Sequence, residues 1–103
     1  MNFSVEYHPS FTKDMKKLGL SKHKKLEVLD KVDFIAQKPY PKSEGGYGEP
    51  LVGNLSKLLK FRFDSDYRVV YKLEKVNGVM KVLIIGLRKD KEVYKEAEKR
   101  KEY

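Results

Sequence analysis

The stretch that decides the fold is LKFRFDSDYRVVYKLEKVNGVMKVLIIGLR, residues 59–88. In its first two segments apolar and polar residues alternate, which is the period-two pattern of a strand with one buried face. Residues 79–85 are nearly all apolar, as expected of a central strand covered on both faces. The polar segments 64–66 and 77–78 predict turns between these segments. The stretch therefore predicts an antiparallel meander of three strands.

The first turn determines which residues of the meander face each other. A three-residue loop pairs Phe63 with Tyr67 and Arg62 with Arg68. A two-residue loop would put Phe63 opposite Arg68 and mix the apolar face with the charged one. Because a slip of one residue moves every side chain to the other face, the three-residue loop is predicted.

The second turn, Asn77-Gly78, is the dipeptide typical of a two-residue hairpin turn. This turn would set Glu74 opposite Lys81, and the opposite charges of that pair favour the register. The same register sets Arg68 opposite Leu87 at the far end of the hairpin.

Cations collect on one face of the predicted meander. Arg62 and Arg68 are directly opposite, Lys60 is one step along the strand, and Arg88 emerges beside Arg68. Like charges that face each other destabilise a sheet, so this cluster predicts a bound anion, for which RNA phosphate is the leading candidate. The alternative is that acidic residues of the adjacent turn or glutamates from elsewhere neutralise the cluster.

The residues before the meander predict a strand, two helices and a loop. Residues 2–7 alternate as a strand does, and apolar residues recur at helical spacing in residues 11–18 until Gly19 ends that helix. Residues 39–50 contain three glycines and three prolines, so they predict a loop, either a substrate-side flap or a plain connector. A second helix is predicted over residues 21–38, with an apolar stripe formed by Leu26, Leu29, Val32, Ile35 and Ala36.

The residues after the meander predict a final helix. It begins near Asp90, which can cap it, and runs through a mostly charged segment to Tyr103. Because Val93 and Ala97 are its main apolar contacts, this helix is expected to dock loosely. The predicted fold class is α+β, a single compact domain over residues 1–103 in the order β-α-α-β-β-β-α. Its twisted, mainly antiparallel four-stranded sheet would carry the N-terminal helical hairpin on one face.

The composition excludes several classes of protein. The chain of 103 residues is long enough for one domain with a modest core, and without cysteine it has neither disulfides nor thiolate metal sites. Absence of cysteine suits a reducing cytoplasm. No apolar run approaches the roughly 20 residues of a membrane span, and residues 1–6 lack the basic region and apolar core of a signal peptide. A cytoplasmic protein without membrane contact is expected.

The net charge of +8 is concentrated in the second half of the chain. Residues 1–51 hold nine lysines and arginines against seven acidic residues, whereas residues 52–103 hold fourteen against eight. An excess of cations in one region is the electrostatic footprint of a polyanion binder. It is equally compatible with a lysine-rich surface that only keeps the protein soluble.

Cleavage of RNA needs three kinds of group. The 2′-hydroxyl must lose a proton, the five-coordinate phosphate must be stabilised, and the leaving 5′-oxygen must gain a proton. Arginine suits the second task because its fork donates two hydrogen bonds to phosphate oxygens. His8 and His23 both lie in the N-terminal half, away from the cationic face. Tyr94 is the better candidate for the base, since nearby cations favour the ionised form of a phenol. The alternative is that Tyr94 packs on the sheet between Val93 and Ala97.

Other kinds of site find little support in the sequence. There is no dinucleotide-binding glycine motif, no Walker loop and no His-Glu-x-x-His motif. Asp64 and Asp66 share a turn, and two carboxylates in that arrangement are more typical of a turn than of a metal site. No cofactor is therefore expected.

The second half of the chain resembles the RelE/ParE superfamily of toxins from toxin–antitoxin systems. The order strand, two helices, three strands and final helix is similar too, so the resemblance covers nearly the whole chain. Its most specific part begins at Leu51 and consists of LVGNLS (51–56), LKFR (59–62), DYRVVY (66–71), VLIIGLR (82–88) and EVY (92–94), followed by Glu96, Ala97, Lys99 and Arg100.

This resemblance implies an activity and a site. RelE-like members are ribosome-dependent endoribonucleases that cut mRNA in the ribosomal A site by attack of its own 2′-hydroxyl, without a metal. By resemblance, Arg68 and Arg88 would stabilise the phosphate, Tyr94 would act as the base or orient the 2′-hydroxyl, and Lys60 and Arg62 would bind or activate the phosphate. Further cations are expected to bind RNA around this site: Lys57, Lys72, Lys81, Lys89 and Lys91.

The chain departs from the type member of the family in two respects. Arg62 stands where that member has a lysine, and an arginine holds phosphate but is a poor proton donor or acceptor. The turn at residues 64–66 is shorter, which blurs the alignment of Lys60 and Arg62. Other members use glutamate and histidine instead, and this chain offers no such pair.

The resemblance also implies partners. They are a cognate antitoxin protein, the ribosome and mRNA, and the antitoxin is expected to displace or cover the final helix and to neutralise the basic face. Two alternatives stay open. One is a ParE-like protein that inhibits DNA gyrase by protein contact, and the other is a catalytically inactive domain that binds RNA or a partner.

Overall fold

The computed structural model describes residues 3–103, so Met1 and Asn2, the second of which belongs to the predicted first strand, lie outside the described residues. The described part contains five strands and three helices, joined by loops with short 3-10 turns at Lys42–Glu44 and Gly53–Leu55. The elements follow in the order β1 (Ser4–Tyr7), α1 (Phe11–Lys17), α2 (Lys22–Ile35), β2 (Glu49–Pro50), β3 (Leu59–Phe63), β4 (Tyr67–Glu74), β5 (Val79–Leu87) and α3 (Glu92–Arg100).

The five strands form one sheet in the order β1-β5-β4-β3-β2. Only β1 runs parallel to its neighbour, and the other pairs in the described residues are antiparallel. The α+β class and the mainly antiparallel meander are confirmed. The predicted number of four strands is wrong, because Glu49 and Pro50 pair with β3 inside the segment predicted to be a loop. A two-residue edge strand ended by proline leaves no alternation to detect.

The register between β3 and β4 is the predicted one. Phe63 pairs with Tyr67 and Arg62 with Arg68, across a three-residue turn. Asp64 in this turn has a φ of +51°, in the left-handed region that aspartate tolerates better than most residues. The two arginines therefore do lie directly opposite each other.

The predicted turn between β4 and β5 is wrong in its length. β4 ends at Glu74, and four residues, 75–78, connect it to β5. Within this connection only Gly78 has a positive φ, +65°, whereas a two-residue turn would also need Asn77 in that region. Glu74 and Lys81 are diagonal neighbours instead of a facing pair, and their side chains still form an ion pair at 2.8 Å.

A bulge then corrects part of this shift. The pairing skips Leu83, which has no partner on β4. Arg68 consequently pairs with Gly86, one residue short of the predicted Leu87. A bulge of this kind strengthens the local twist and redirects the strand that follows it.

Apolar side chains fill the face of the sheet that carries α1 and α2. Both helices bury residues against this face, and Ser21 caps α2 by accepting a hydrogen bond from the N–H of Lys24 at 3.1 Å. The predicted stripe of α2 needs one correction, since Leu26 is exposed and Val28 is buried in its place. The strands contribute Leu59, Phe61, Phe63, Val69, Tyr71, Met80, Val82 and Ile85 to this core.

The final helix, α3, packs on the opposite face over a smaller apolar cluster. The N-cap position is Lys91, one residue after the predicted Asp90, but the Asp90 carboxylate accepts a hydrogen bond from the N–H of Glu92 at 2.9 Å. The expectation of loose docking is wrong. Arg100 forms a buried ion pair with Asp14 of α1 at 2.7 Å and donates to the carbonyl of Leu83 at 2.9 Å. Burial tends to lower the pKa of Arg100, but pairing with Asp14 outweighs it and raises the pKa.

Within residues 3–103, no helix combines the length and the hydrophobicity that crossing a membrane requires.

Candidate functional site

The candidate site lies on the face of the sheet under α3, where a row of residues crosses three strands. Arg62 of β3, Arg68 of β4 and Gly86 of β5 are paired neighbours in this row. Arg68 is only 8% exposed. One of its terminal nitrogens donates to the carbonyls of Tyr67 at 2.9 Å and Ser65 at 3.3 Å. These bonds use part of the five donors of a guanidinium, and no carboxylate in the described range forms an ion pair with it.

Gly86 determines how closely α3 approaches this row. A side chain at this glycine would place its Cβ 2.8 Å from the Val93 side chain, closer than real Cβ contacts allow. The missing side chain therefore lets the first turn of α3 lie directly on the sheet beside Arg68. Tyr94 is held next to the row as a result.

Tyr94 and Lys60 are in contact. The Nζ of Lys60 lies 5.8 Å from the centre of the Tyr94 ring, within the range of a cation–π interaction. Tyr94 is half-buried and packs against the cluster formed by Leu58, Val70 and their neighbours. Its ring therefore packs on the sheet and also meets a strand cation, and its role as a base stays a prediction.

Arg88 lies at the end of β5, next to the turn that joins β3 and β4. Its backbone N–H donates to the carbonyl of Asp66 at 2.7 Å, which ties the two segments together. Its side chain is exposed and, with Asp66, Leu87 and Lys89, lines a cavity of about 440 Å³. The predicted proximity of Arg88 to the Arg68 strand is thus present in the structure.

Arg62 is the most exposed member of the row, with 68% of its side chain accessible. Its Nε lies 3.8 Å from a carboxylate oxygen of Glu49, and the same oxygen receives the Lys42 ammonium at 3.3 Å. Asp64 is occupied elsewhere, because it pairs with Lys24 at 2.6 Å and this hydrogen bond raises the pKa of the lysine. Neutralisation of the cluster is therefore slight and comes from Glu49, which the sequence analysis did not single out.

Five lysines were predicted to bind RNA, and they differ in their surroundings. Lys57, Lys89 and Lys91 are exposed. Lys72 and Lys81 are partly covered by the segment after α3, since they donate to the carbonyls of Lys101 at 2.6 Å and Tyr103 at 3.0 Å. The hydrogen bond to Glu74 also raises the pKa of Lys81 and lowers that of Glu74.

The two histidines make contacts away from the cationic face, in agreement with their predicted positions. His8 follows the edge strand β1, and its Nδ1 accepts a hydrogen bond from the N–H of Ser10 at 3.1 Å. Burial, with the nearby Arg100 charge, lowers the pKa of His8. His23 pairs with Glu27 on α2 at 2.8 Å. Among residues 3–103 there is no group of three or more histidines and carboxylates that could hold a metal ion.

Solved structures show which class of protein has this fold. The free RelE toxin of E. coli, in a doubly substituted form, superposes with a TM-score of 0.76 at 24% identity, over 97% of this chain and 98% of that one. The toxin–antitoxin complex RelBE2 of Mycobacterium tuberculosis matches with a TM-score of 0.71 at 19% identity, over 87% and 95% of the two chains. The archaeal RelE–RelB complex of Pyrococcus horikoshii OT3 gives 0.58 at 24% identity, over 85% and 97%. The fold is that of the RelE-like toxins.

The sequence itself identifies the family. Residues 5–92 match the family model of the ParE toxin of the type II toxin–antitoxin system parDE. The chain therefore belongs to this family of toxins, within the RelE/ParE superfamily. No protein of curated function is similar enough in sequence to count as a match.

Proposed function

We propose that this toxin is an endoribonuclease that cuts mRNA on translating ribosomes. The observation that carries the proposal is the facing pair of Arg62 and Arg68, of which the second is buried without a carboxylate partner in the described residues. Two facing cations destabilise the free protein, so their retention is explained by an anion that binds there. The neighbouring contact between Lys60 and Tyr94 adds groups that can move protons.

The proposed reaction is an internal transfer at one phosphate. The Tyr94 oxygen takes the proton of the 2′-hydroxyl or orients it, and the 2′-oxygen attacks the adjacent phosphorus. The bond from phosphorus to the 5′-oxygen breaks, leaving a 2′,3′-cyclic phosphate on one fragment and a 5′-hydroxyl on the other. Arg68 and Arg88 stabilise the extra negative charge of the five-coordinate phosphate. The Lys60 ammonium is suited to protonate the leaving 5′-oxygen, whereas Arg62 binds phosphate, because an arginine gives up no proton.

The proposed setting of this reaction is the ribosomal A site in the cytoplasm. The unevenly distributed net charge of +8 would steer the protein to ribosomal RNA, with an affinity that falls steeply with salt. The solved complexes of similar toxins with antitoxins support a cognate antitoxin as the second partner. We expect that partner to displace or cover α3 and to neutralise the basic face.

The test is induced expression of the wild type beside Tyr94→Phe and Arg88→Ala, with primer extension on a reporter mRNA. Lys13→Ala serves as the matched control, since it removes one exposed lysine from α1 on the other side of the sheet. We expect wild type and Lys13→Ala to cut only the translated reporter, and the two site variants to leave it intact. Equal cutting by all four proteins would contradict the proposed site.

A second candidate function is inhibition of DNA gyrase by protein contact, which the match to the ParE family model favours. Such an activity needs the fold but not the constellation of Arg68, Arg88 and Tyr94. Growth arrest with intact reporter mRNA, unchanged by Tyr94→Phe and Arg88→Ala, would support it. A supercoiling assay with purified gyrase would then show inhibition by the wild type and by both variants.

A further inference from the structure

A second cavity, of about 350 Å³, lies at the edge of the sheet on the side of α2. We call it the aromatic pocket and define it by the six lining residues that carry the inference: Lys31, Phe34, Lys42, Tyr47, Glu49 and Arg62. These residues come from α2, from the loop after it, from β2 and from β3. Of these six residues only Arg62 has a role in the reaction proposed above, and two core residues, Ile35 and Phe61, also line the pocket.

Two aromatic rings of the pocket are stacked at the protein surface. Phe34 and Tyr47 have ring centres 4.8 Å apart and planes inclined by 21°. Phe34 is nevertheless 45% exposed, on a helix that buries Val28, Val32 and Ile35. An exposed flat ring is the platform on which proteins stack the bases of single-stranded nucleic acids, largely without regard to sequence.

Cations surround the rings. The Lys31 ammonium lies 5.5 Å from the centre of the Phe34 ring. Lys42 and Arg62 approach the same oxygen of Glu49, at 3.3 and 3.8 Å. Three cations against one carboxylate leave the pocket positive. This charge fits a phosphate group beside a stacked base.

The loop that carries Tyr47 is held in place by its backbone. The N–H of Tyr47 donates to the carbonyl of Lys38 at 2.8 Å, and the N–H of Gly48 to that of Tyr40 at 2.9 Å. A Cβ at Gly48 would lie 2.3 Å from the hydroxyl oxygen of Tyr71, so this position requires glycine. The ring of Tyr47 is therefore presented by a preorganised segment, which reduces the ordering cost of binding.

Arg62 connects the pocket with the candidate site. Its strand position faces Arg68 in the row of cations, while its guanidinium reaches Glu49 at the sheet edge. An RNA strand whose phosphate contacts Arg62 would pass from one face of the sheet to the other at this point. We propose that the aromatic pocket is a subsite for one nucleotide of single-stranded RNA, with its base on the Phe34 ring and its phosphate between Lys42 and Arg62. This inference rests on the proposed ribonuclease function and extends its substrate contact beyond the cleaved bond.

The test measures binding of a short oligoribonucleotide whose 2′-hydroxyls are all methylated, so that it cannot be cut. Fluorescence anisotropy compares wild type with Phe34→Leu, which keeps the apolar bulk but loses the flat ring, and with Phe34→Tyr, which keeps the ring. We expect Phe34→Leu to weaken binding about tenfold and Phe34→Tyr to bind as the wild type does. Thermal unfolding of each variant verifies that the fold is intact.

Salt dependence separates the stacking part from the phosphate part. Lys42→Ala should lower the slope of log affinity against log salt by about 0.7, the value for one phosphate contact on a single strand. Phe34→Leu should leave that slope unchanged. An oligoribonucleotide with one abasic position should lose affinity for the wild type, and its affinity should no longer differ between wild type and Phe34→Leu.

The outcomes distinguish the subsite from the nuclease. Equal affinities of wild type and Phe34→Leu, or no binding by the wild type, would overturn the subsite. If Phe34→Leu alters capture of a co-expressed partner protein and not RNA affinity, the occupant is a protein and the subsite is likewise overturned. RNA binding that depends on Phe34, in a protein that leaves translated mRNA intact, would keep the subsite and contradict the nuclease.

Discussion

The two faces of the sheet differ in what their residues contribute. On the side of α1 and α2, successive strands present large apolar side chains to one continuous core. On the side of α3, the same strands present cations beside a small apolar cluster. Burial of apolar side chains stabilises the fold, whereas facing arginines oppose it. The first face therefore holds the protein together, and the second carries a cost that the proposed binding of RNA phosphate would explain.

The largest effect on stability is expected on the face of the sheet that carries α1 and α2. Met80 is fully buried there, and Met80→Ala should lower the free energy of unfolding by about 2–5 kcal/mol, from lost transfer free energy and the cavity left behind. Urea denaturation followed by circular dichroism measures the change. A loss below about 1 kcal/mol would mean that this core is not close-packed, and would remove one side of the comparison.

The next effect concerns the contact between the two helical layers. Asp14→Asn keeps the size of the side chain but leaves the buried Arg100 without its closest counter-charge. Because Glu96 still pairs with Arg100 at 3.3 Å, the expected loss is about 3 kcal/mol, at the low end for breaking a buried ion pair. Hydrogen exchange should show the largest increase in the amides of α3. Exchange that rises equally in all elements would indicate that α3 is not a separate unit held by this pair.

A smaller effect of opposite sign is expected on the cationic face. Arg62→Thr removes a charge that faces Arg68 and a weak contact with Glu49, so the free energy of unfolding should stay unchanged or increase by about 0.2–1 kcal/mol. The same variant should cut translated mRNA poorly. Urea denaturation and primer extension test the two parts. Destabilisation by more than about 1 kcal/mol would show that Arg62 has a structural role and would weaken the comparison.

The smallest effect is a pH dependence from His8. Its pKa is lowered by burial and by Arg100, against the opposing influence of Asp14 and Glu96, so the native state binds fewer protons than the unfolded chain. The resulting stabilisation is complete above the ordinary histidine pKa of about 6.5 and is lost as the pH falls through the lowered native value. His8→Asn can still accept the Ser10 N–H and should flatten this part of the stability profile. If His8→Asn leaves the slope of unfolding free energy against pH unchanged below about pH 6.5, His8 does not contribute this pH dependence.

Much of the fold follows from residues that are close in sequence. The register of β3 and β4 could be predicted because only a three-residue turn keeps Phe63 and Tyr67 on the apolar face. The β4–β5 register could not, because Asn77-Gly78 also fits a four-residue connection and nothing local marks the bulge at Leu83. Tertiary packing, and not the dipeptide, selects between these turns.

In the candidate site, too, the sequence predicted contacts between residues close in the chain and missed the distant ones. Strand alternation and the turn brought Arg62 and Arg68 together correctly, since both act over a few residues. Glu49 was missed because its strand has two residues within a segment rich in proline and glycine. The docking of α3 was missed because Asp14 and Arg100 are 86 residues apart, and a single acid and a single base at that separation carry no pattern.

The proposal that the face under α3 cuts mRNA is tested most directly by an analysis of fragment ends in a purified translation system. We expect fragments with a 2′,3′-cyclic phosphate and a 5′-hydroxyl, formed only when ribosomes translate the mRNA. We also expect Arg88→Ala to abolish these fragments and Lys13→Ala to leave them unchanged. mRNA that stays intact while the wild type stops translation, or cutting that persists in Arg88→Ala, would contradict the proposed nuclease.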